Sequence, residues 1–211
     1  LGGEAGEAVF ADFSAALQKA QAEGRILTAS LFRYENHLFF YAEGLNRPFT
    51  PQGLCPALDA ALLPWPPALG EAAPRPWAAM QPYFYHDVPT TAADWQQGRC
   101  PQRRRGRIAL LPPDSWCSYM EHHLRIVTEG LVEGDRWHLI CVQEGVLFSY
   151  LEEPRTNVNI KHQPGAHSPE LDAWIAADPE SHFARFTPEQ KAHPDSSHNF
   201  VFLPRIAGTE D

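Results

Sequence analysis

The chain has 211 residues, a formal net charge of −9 at pH 7 and 44% hydrophobic residues, which is typical of a globular protein with an ordinary core. The acidic balance argues against a non-specific nucleic-acid binder, because such a protein needs a basic face. No run approaches the roughly eighteen apolar residues of a membrane helix. The N-terminal residues lack the basic and apolar regions of a secretory signal. The four cysteines are scattered and form no C-x-x-C pair, so a reducing cytoplasm is expected.

The first predicted elements are a helix and a β-hairpin. Apolar residues from Val9 to Ala20 recur at three-to-four spacing, which predicts a helix that ends at Gly24. A β-type run follows at residues 26–32, and residues 35–43 continue it as a second strand. No strand is evident before Val9, so the first strand of this half is predicted to be absent or degenerate.

A proline-rich insertion interrupts the first half at residues 48–76. It holds eight prolines and predicts only a short helix near residues 57–63. Loops of this length are uncommon in compact domains, so the insertion is expected to be either a lid over a pocket or a surface wrap. After it, residues 83–86 predict the last strand of the first half.

An arginine run follows at residues 103–107, and it reads either as a solvated loop, which is usual for such a run, or as a contact for a phosphate or polyanion. A strand at residues 107–111 and an amphipathic helix follow. The predicted core stripe of this helix is Cys117, Met120, Leu124, Val127 and Leu131. A hairpin at residues 137–152, a second helix opened by Ser168 and a strand at residues 199–203 complete the order β-α-β-β-α-β, which is the ferredoxin-like split unit.

A nine-residue signature, E-x-x-L-F-x-Y-x-E, begins at Glu35 and again at Glu144, 109 positions later. A helix and a strand precede both copies, so the chain reads as a tandem duplication. The predicted fold is α+β, with two ferredoxin-like halves packed sheet to sheet as a single-chain α+β barrel. The first half spans residues 1–93, a linker spans 94–106, and the second half spans 107–211. A monomer is expected, because each half would cover the sheet face of the other.

At these residues the chain resembles the L-rhamnose mutarotase family of the dimeric α+β barrel superfamily. The second half carries a Pro-containing turn after its first strand, a helix with Tyr119-x-x-x-His123, and the strand that ends in Glu152. The first half carries Trp77-x-x-Met80-x-Pro82, which is similar to the aromatic segment that closes the family's pocket. Each half lacks the other's motif, so two sites are expected to have become one composite site or none.

The resemblance implies an isomerase that exchanges the anomers of a monosaccharide without a cofactor. Its catalytic residues would be His123 as general acid and base, because imidazole titrates near neutral pH, and Tyr119 one helical turn away. The remaining candidates would bind the sugar: Trp77, Met80, Tyr150, Glu152, Tyr41 and Glu43. For each candidate a purely structural role stays open, such as aromatic packing for the tyrosines and a salt bridge at the rim for the glutamates.

Two other functions remain open. A duplicated barrel can keep a cavity and lose its chemistry, which would leave a non-catalytic module that binds or senses a small ligand. A haem-binding or oxygen-using enzyme of the same superfamily would instead need a histidine that projects into the barrel. The ten histidines include His162 and His167, but none shows familiar ligand spacing, so no metal is predicted.

Overall fold

The computed structural model describes residues 2–45, 47–85, 90–128, 136–155, 168–191 and 193–209. Among them lie two antiparallel sheets and five α-helices, which confirms the α+β class. Both sheets are open in this part of the chain, and neither closes on itself as a barrel. The chain divides into two compact units: residues 1–79 with 204–211, and residues 80–203.

The first unit contains α1 (Gly3–Ala22), β1 (Ile26–Tyr34), β2 (His37–Gly44), α2 (Pro56–Ala61) and β8 (Arg205–Gly208). Its strands follow the order β2-β1-β8. Phe13, Leu17 and Ala20 lie at helical spacing on α1 and are buried together, as predicted. Gly24 ends the helix with a positive φ of 68°, a conformation that glycine adopts without strain.

Part of the proline-rich insertion enters the core of the first unit. Its short helix α2 places Leu58 in the core of the first unit, and Cys55 at the helix start is buried beside it. Trp77, just after the insertion, donates a hydrogen bond of 2.8 Å from Nε1 to Asp59 Oδ1 on α2. The insertion therefore supplies part of a core that α1 and a three-stranded sheet fill incompletely.

The described part of the second unit contains nine elements. They are β3 (Gln81–Tyr85), α3 (Ala92–Gln96), β4 (Arg103–Leu110), α4 (Pro113–Thr128), β5 (Leu139–Gln143), β6 (Val146–Glu153), α5 (Pro169–Ala176), a 3₁₀ turn (Pro179–His182) and β7 (Val201–Leu203). The strand order is β3-β5-β6-β4-β7, with every pair antiparallel. From β4 to β7 the elements follow the predicted order β-α-β-β-α-β, and β3 is an additional edge strand.

The arginine run is a strand and not a solvated loop. Arg104 and Arg105 are buried, and Arg103 and Arg105 each pair with Glu153 on β6. Arg103, Arg105 and Arg107 alternate along β4, so they share one face of the sheet. The solvated-loop prediction was wrong because Glu153, which pairs with these arginines, is about fifty residues away in the sequence. A run of charges does not show which residues will face it in the fold.

The two hairpins have the same register. All five residue pairs of β5–β6, from Gln143↔Val146 to Leu139↔Tyr150, have a counterpart in β1–β2 at the 109-residue offset. Both hairpins turn through two residues, and Glu35 and Glu144 both adopt a φ of 49°. The internal repeat read from the signature is therefore present in the backbone.

Two edge strands, β3 and β8, each pair with the hairpin that lies farther from them in the sequence. β3 was predicted to complete the first half, but it pairs with β5 in the second unit. β8, near the end of the chain, pairs with β1 in the first unit. Each of these strands contains one extra residue at the same place, Tyr83 in β3 and Ile206 in β8. The compact units divide after residues 79 and 203, whereas the sequence analysis placed boundaries at residues 93 and 107.

Candidate active site

The helix α4 presents a different face to the sheet than the one predicted. Tyr119 is 4% exposed and belongs to the core of the second unit, whereas Leu124 is 64% exposed and Cys117 is also exposed. An aromatic ring removes more apolar surface from water than a cysteine, so burying this side of the helix is favoured. Of the remaining predicted stripe, Met120 packs against the core, and the Val127 side chain and Leu131 lie outside the described residues.

His123 lies in a cluster of aromatic rings on this buried side of α4. Its ring centre is 4.4 Å from that of Tyr119, 4.6 Å from Trp174 on α5 and 5.4 Å from Phe84 on β3. Its Nε2 atom lies 3.5 Å from the Tyr119 hydroxyl oxygen, at the outer limit of a hydrogen bond. The two residues of the predicted catalytic pair therefore lie next to each other. The His123 side chain is half-buried and the Tyr119 side chain is buried.

Tyr83 is a second phenol in this cluster. It is the extra residue of the β3 bulge, and bulges commonly re-aim a side chain. Its ring centre is 6.3 Å from that of Tyr119 and 5.9 Å from that of His123. The Tyr83 hydroxyl oxygen is buried and has no hydrogen-bond partner of ordinary geometry in the described part of the chain.

Burial keeps both phenols protonated at neutral pH. It raises the pKa of Tyr119 to about 12, because the phenolate would be desolvated, and the interaction with the Tyr83 hydroxyl and then the nearby Arg107 charge oppose this rise. Burial likewise raises the pKa of Tyr83, with a further increase from Tyr119 and an opposing effect from Arg107. Both hydroxyl groups therefore carry a proton at neutral pH, and both phenol rings lie beside the His123 ring.

Tyr150 and Glu152 do not join this cluster. Leu147 on β6 packs in the same core as Tyr119, and side chains alternate along a strand, so Tyr150 and Glu152 lie on the opposite face of the sheet. The Tyr150 hydroxyl donates to Glu152 Oε1 at 2.6 Å, and Arg99 donates to both oxygens of the same carboxylate at 2.5–3.1 Å. Glu152 is thus held in a buried ion pair.

The first unit repeats part of this arrangement. Tyr41 donates a hydrogen bond of 2.6 Å to Glu43 Oε1, the same contact at the same length as in the second unit. Trp77 stacks with Phe13 at 6.4 Å between ring centres and lies 6.0 Å from Phe40, within the core of the first unit. Met80 is the half-buried first residue of the second unit. Tyr41, Glu43 and Trp77 therefore belong to a different unit from His123.

A cleft of about 450 Å³ lies in the first unit where the repeat places the counterparts of the catalytic pair. Phe10 and Ser14 correspond to Tyr119 and His123 at the 109-residue offset, and both line this cleft. Ile206, the extra residue of β8, lines it as well and corresponds to Tyr83. The first unit thus has an open cleft without a phenol or an imidazole at these three positions.

Four residues of the cluster were missed by the sequence reading. They are Tyr83, Arg107, Trp174 and His182, which lies 5.8 Å from Tyr119 between ring centres and shares a 3.2 Å hydrogen bond with Ser118. For Arg107 the alternation of arginines along a predicted strand was a usable signal. No sequence pattern indicated Trp174 or His182, because they lie on α5 and on the 3₁₀ turn, which are distant from α4 in the sequence.

Within the described ranges, no three His, Cys, Asp or Glu side chains come together as metal ligands would, and His162 and His167 lie outside these ranges. None of the described helices combines the length and the hydropathy that a membrane crossing requires. Compared with known proteins, the chain matches no family model, no curated protein and no solved structure.

Proposed function

We propose that the chain is a monomer made of a fused pair of ferredoxin-like halves that resemble the L-rhamnose mutarotases, and that its second unit exchanges the anomers of a monosaccharide. The repeated hairpin register and the matching bulges of β3 and β8 support the duplication. The function is carried by one observation, the contact of 3.5 Å between the Tyr119 hydroxyl and His123 Nε2 inside an aromatic cluster.

Anomer exchange requires a sugar hemiacetal to open and close again. A base removes the proton of the anomeric hydroxyl while an acid protonates the ring oxygen, and the roles reverse on closure. His123 suits the base, since imidazole changes charge near neutral pH. Tyr119 suits the acid, because its pKa of about 12 keeps it protonated until a proton is needed.

The surroundings of the pair support this chemistry. Trp174 presents an aromatic ring 4.6 Å from the imidazole, and such rings can pack against the apolar face of a sugar. After proton transfer, the buried Tyr119 phenolate would lie beside an imidazolium at His123 and near the Arg107 cation, and both charges oppose its desolvation cost.

The cleft of the first unit favours a second candidate function, a non-catalytic module that binds a small ligand. The cleft of about 450 Å³ has a size common for small-molecule sites. Its Phe10 and Ser14 replace the phenol and imidazole of the second unit, so this cleft could hold a ligand without exchanging protons through such a pair.

Saturation-transfer NMR of anomer exchange tests both candidates. The first sugars are L-rhamnose and L-fucose, followed by a panel of aldoses. Wild type is compared with His123→Ala, Tyr119→Phe and the control His37→Ala, whose histidine is exposed in the first hairpin. We expect exchange to be accelerated by wild type and by the control, and to fall about 100-fold or more in His123→Ala.

Acceleration that survives in His123→Ala would overturn the role of the pair. If no sugar exchanges faster with folded wild type, the mutarotase proposal is wrong. Sugar signals that broaden without exchange, and that sharpen again in Phe10→Ala, would then favour the binding module in the first unit.

A further inference from the structure

A run of prolines follows α2 in the insertion of the first unit. Residues 62–68 read Leu-Leu-Pro-Trp-Pro-Pro-Ala and carry no charged side chain. Proline fixes its own φ near −65° and drives the residue before it towards extended backbone. Leu62, at the end of α2, has a φ of −83° and a ψ of 141°, which is close to the polyproline II conformation. The run therefore favours a polyproline II helix, which has three residues per turn.

The exposure of this run repeats every three residues. Leu62, Trp65 and Ala68 are half-buried, and Leu62 packs against the core of the first unit. The residues between them are all exposed: Leu63, Pro64, Pro66 and Pro67. Exposure would alternate every two residues in a strand and every 3.6 in an α-helix, so a period of three matches a polyproline II helix. One of its three ridges contacts the protein, and the other two face solvent.

The two ridges that face solvent are apolar. One carries Pro64 and Pro67, and the other carries Pro66 and Leu63, whose side chain is 92% exposed. Leu63-Pro64 and Pro66-Pro67 thus form two apolar pairs, three residues apart, on the surface of the first unit. Contiguous exposed apolar residues commonly mark an interaction site.

Hydrogen bonds hold the run in place. Trp65 N donates to Arg75 O at 2.7 Å, and Arg75 N donates to Trp65 O at 3.0 Å. Arg75 Nε also donates to Pro66 O at 3.3 Å. At the end of the run, Glu71 N donates to Ala68 O and Ala68 N donates to Glu71 Oε2, both at 2.9 Å. A segment that is fixed before binding loses little conformational entropy when a partner arrives.

The backbone of the run accepts hydrogen bonds but offers almost no donors. Its three prolines have no N–H, and the Trp65 N–H is already bonded to Arg75, so a partner cannot add to it as a β-strand. Within the described ranges, no donor reaches the carbonyl oxygens of Pro64 and Pro67. A partner that fits this surface combines apolar area with hydrogen-bond donors, as the rings of tryptophan and tyrosine do.

We propose that residues 62–68 are a ligand for a protein domain whose groove is lined by aromatic rings. Such domains bind polyproline II segments with the pattern P-x-x-P, and Pro64-Trp65-Pro66-Pro67 has this pattern. The two exposed ridges pack between the rings of the groove, and side-chain donors of the groove reach the carbonyl oxygens of Pro64 and Pro67. The proposal is independent of the mutarotase chemistry, because the run lies in the first unit and His123 in the second.

The test is isothermal titration of the whole chain with a panel of purified SH3 and WW domains, two classes of groove that bind such segments. Wild type is compared with Pro64→Ala, Pro67→Ala and the matched control Pro74→Ala, an exposed proline of the same insertion outside the run. Circular dichroism verifies that each variant is folded. Methyl NMR of wild type locates the bound domain, because the Leu63 and Leu69 side chains are both exposed beside these prolines.

We expect at least one domain to bind wild type and to shift the Leu63 methyl signals. Pro64→Ala and Pro67→Ala should each weaken that binding about tenfold, because each removes a ring that packs against an aromatic side chain. Pro74→Ala and His123→Ala should bind as tightly as wild type. The class of domain that binds identifies the kind of groove that the run fits.

The absence of binding by every domain of the panel to folded wild type would overturn the inference. So would binding that neither Pro64→Ala nor Pro67→Ala weakens, or that Pro74→Ala weakens to the same extent. Methyl shifts that spare Leu63 and Leu69 would place the bound domain elsewhere on the chain and would also overturn it.

Discussion

The hairpins β1–β2 and β5–β6 share their register, their two-residue turns and a Tyr-to-Glu hydrogen bond of 2.6 Å, but their surroundings differ. In the second unit, Arg99 clamps the buried Glu152 and an imidazole lies beside a phenol on α4. In the first unit, the positions of that pair hold Phe10 and Ser14 at an open cleft. Two hairpins of the same geometry can therefore lie in surroundings of different chemistry.

The largest expected difference between the copies concerns their glutamates. Glu152 and Arg99 are both almost fully buried, so Glu152→Gln should lower the free energy of unfolding by about 3–5 kcal/mol, because a buried guanidinium loses its partner. Glu43 is half-buried, and Glu43→Gln should cost about 1–2 kcal/mol. Urea denaturation measures both values. Equal losses would mean that the ion pair does not distinguish the two copies.

The next difference appears at alkaline pH. The pKa of Tyr119 is about 12 in the folded protein, against an ordinary value near 10 that applies to the unfolded chain. Between these two pKa values, the folded state holds a proton that the unfolded chain releases. The contribution of Tyr119 to the free energy of unfolding is therefore complete below pH 10 and is lost as the pH rises towards 12. The loss is on the order of 3 kcal/mol.

Tyr119→Phe makes this position resemble Phe10 of the first unit and should flatten the fall in unfolding free energy between pH 10 and pH 12. Urea denaturation at several pH values measures the slope. Phe10→Leu, at the equivalent position of the first unit, serves as the control and should leave the slope as in wild type. A slope that Tyr119→Phe does not change would show that the phenol is not desolvated.

The smallest expected effect tests the equivalence of the two turns. Glu35 and Glu144 share a φ of 49°, a conformation that asparagine tolerates better than glutamate. Glu35→Asn and Glu144→Asn should each raise the free energy of unfolding by about 0.5–1 kcal/mol. Thermal denaturation compares the two variants. Stabilisation of one hairpin alone would contradict the shared turn geometry.

Sequence reasoning succeeded where the information was local. The signature at Glu35 and Glu144 located both hairpins, and the spacing from Phe13 to Ala20 located α1 and its buried face. The prediction of the buried face of α4 was wrong because two sides of that helix carry apolar residues. The rings of Tyr83 on β3 and Trp174 on α5 pack against the side that is buried.

The residues of the candidate site also show that local patterns are easier to predict than non-local contacts. Tyr119 and His123 were chosen from the family resemblance, and their spacing of one helical turn predicts that they lie on the same side of one helix. Tyr83 reaches the pair from a bulge in β3, so its position depends on strand register and pairing. Tyr150 and Glu152 were assigned to the same pocket, but the alternation of β6 places them on the other side of the sheet.

The pairing of β8 with β1 has a consequence for synthesis on the ribosome. The first unit needs residues 205–208 to complete its sheet, so β1 keeps an unpaired edge until nearly the whole second unit has been translated. An open edge recruits other strands, and partly made chains expose it longest. Slower translation of residues 80–203 should therefore increase aggregation of nascent chains, whereas a circular permutant that begins with β8 should be protected.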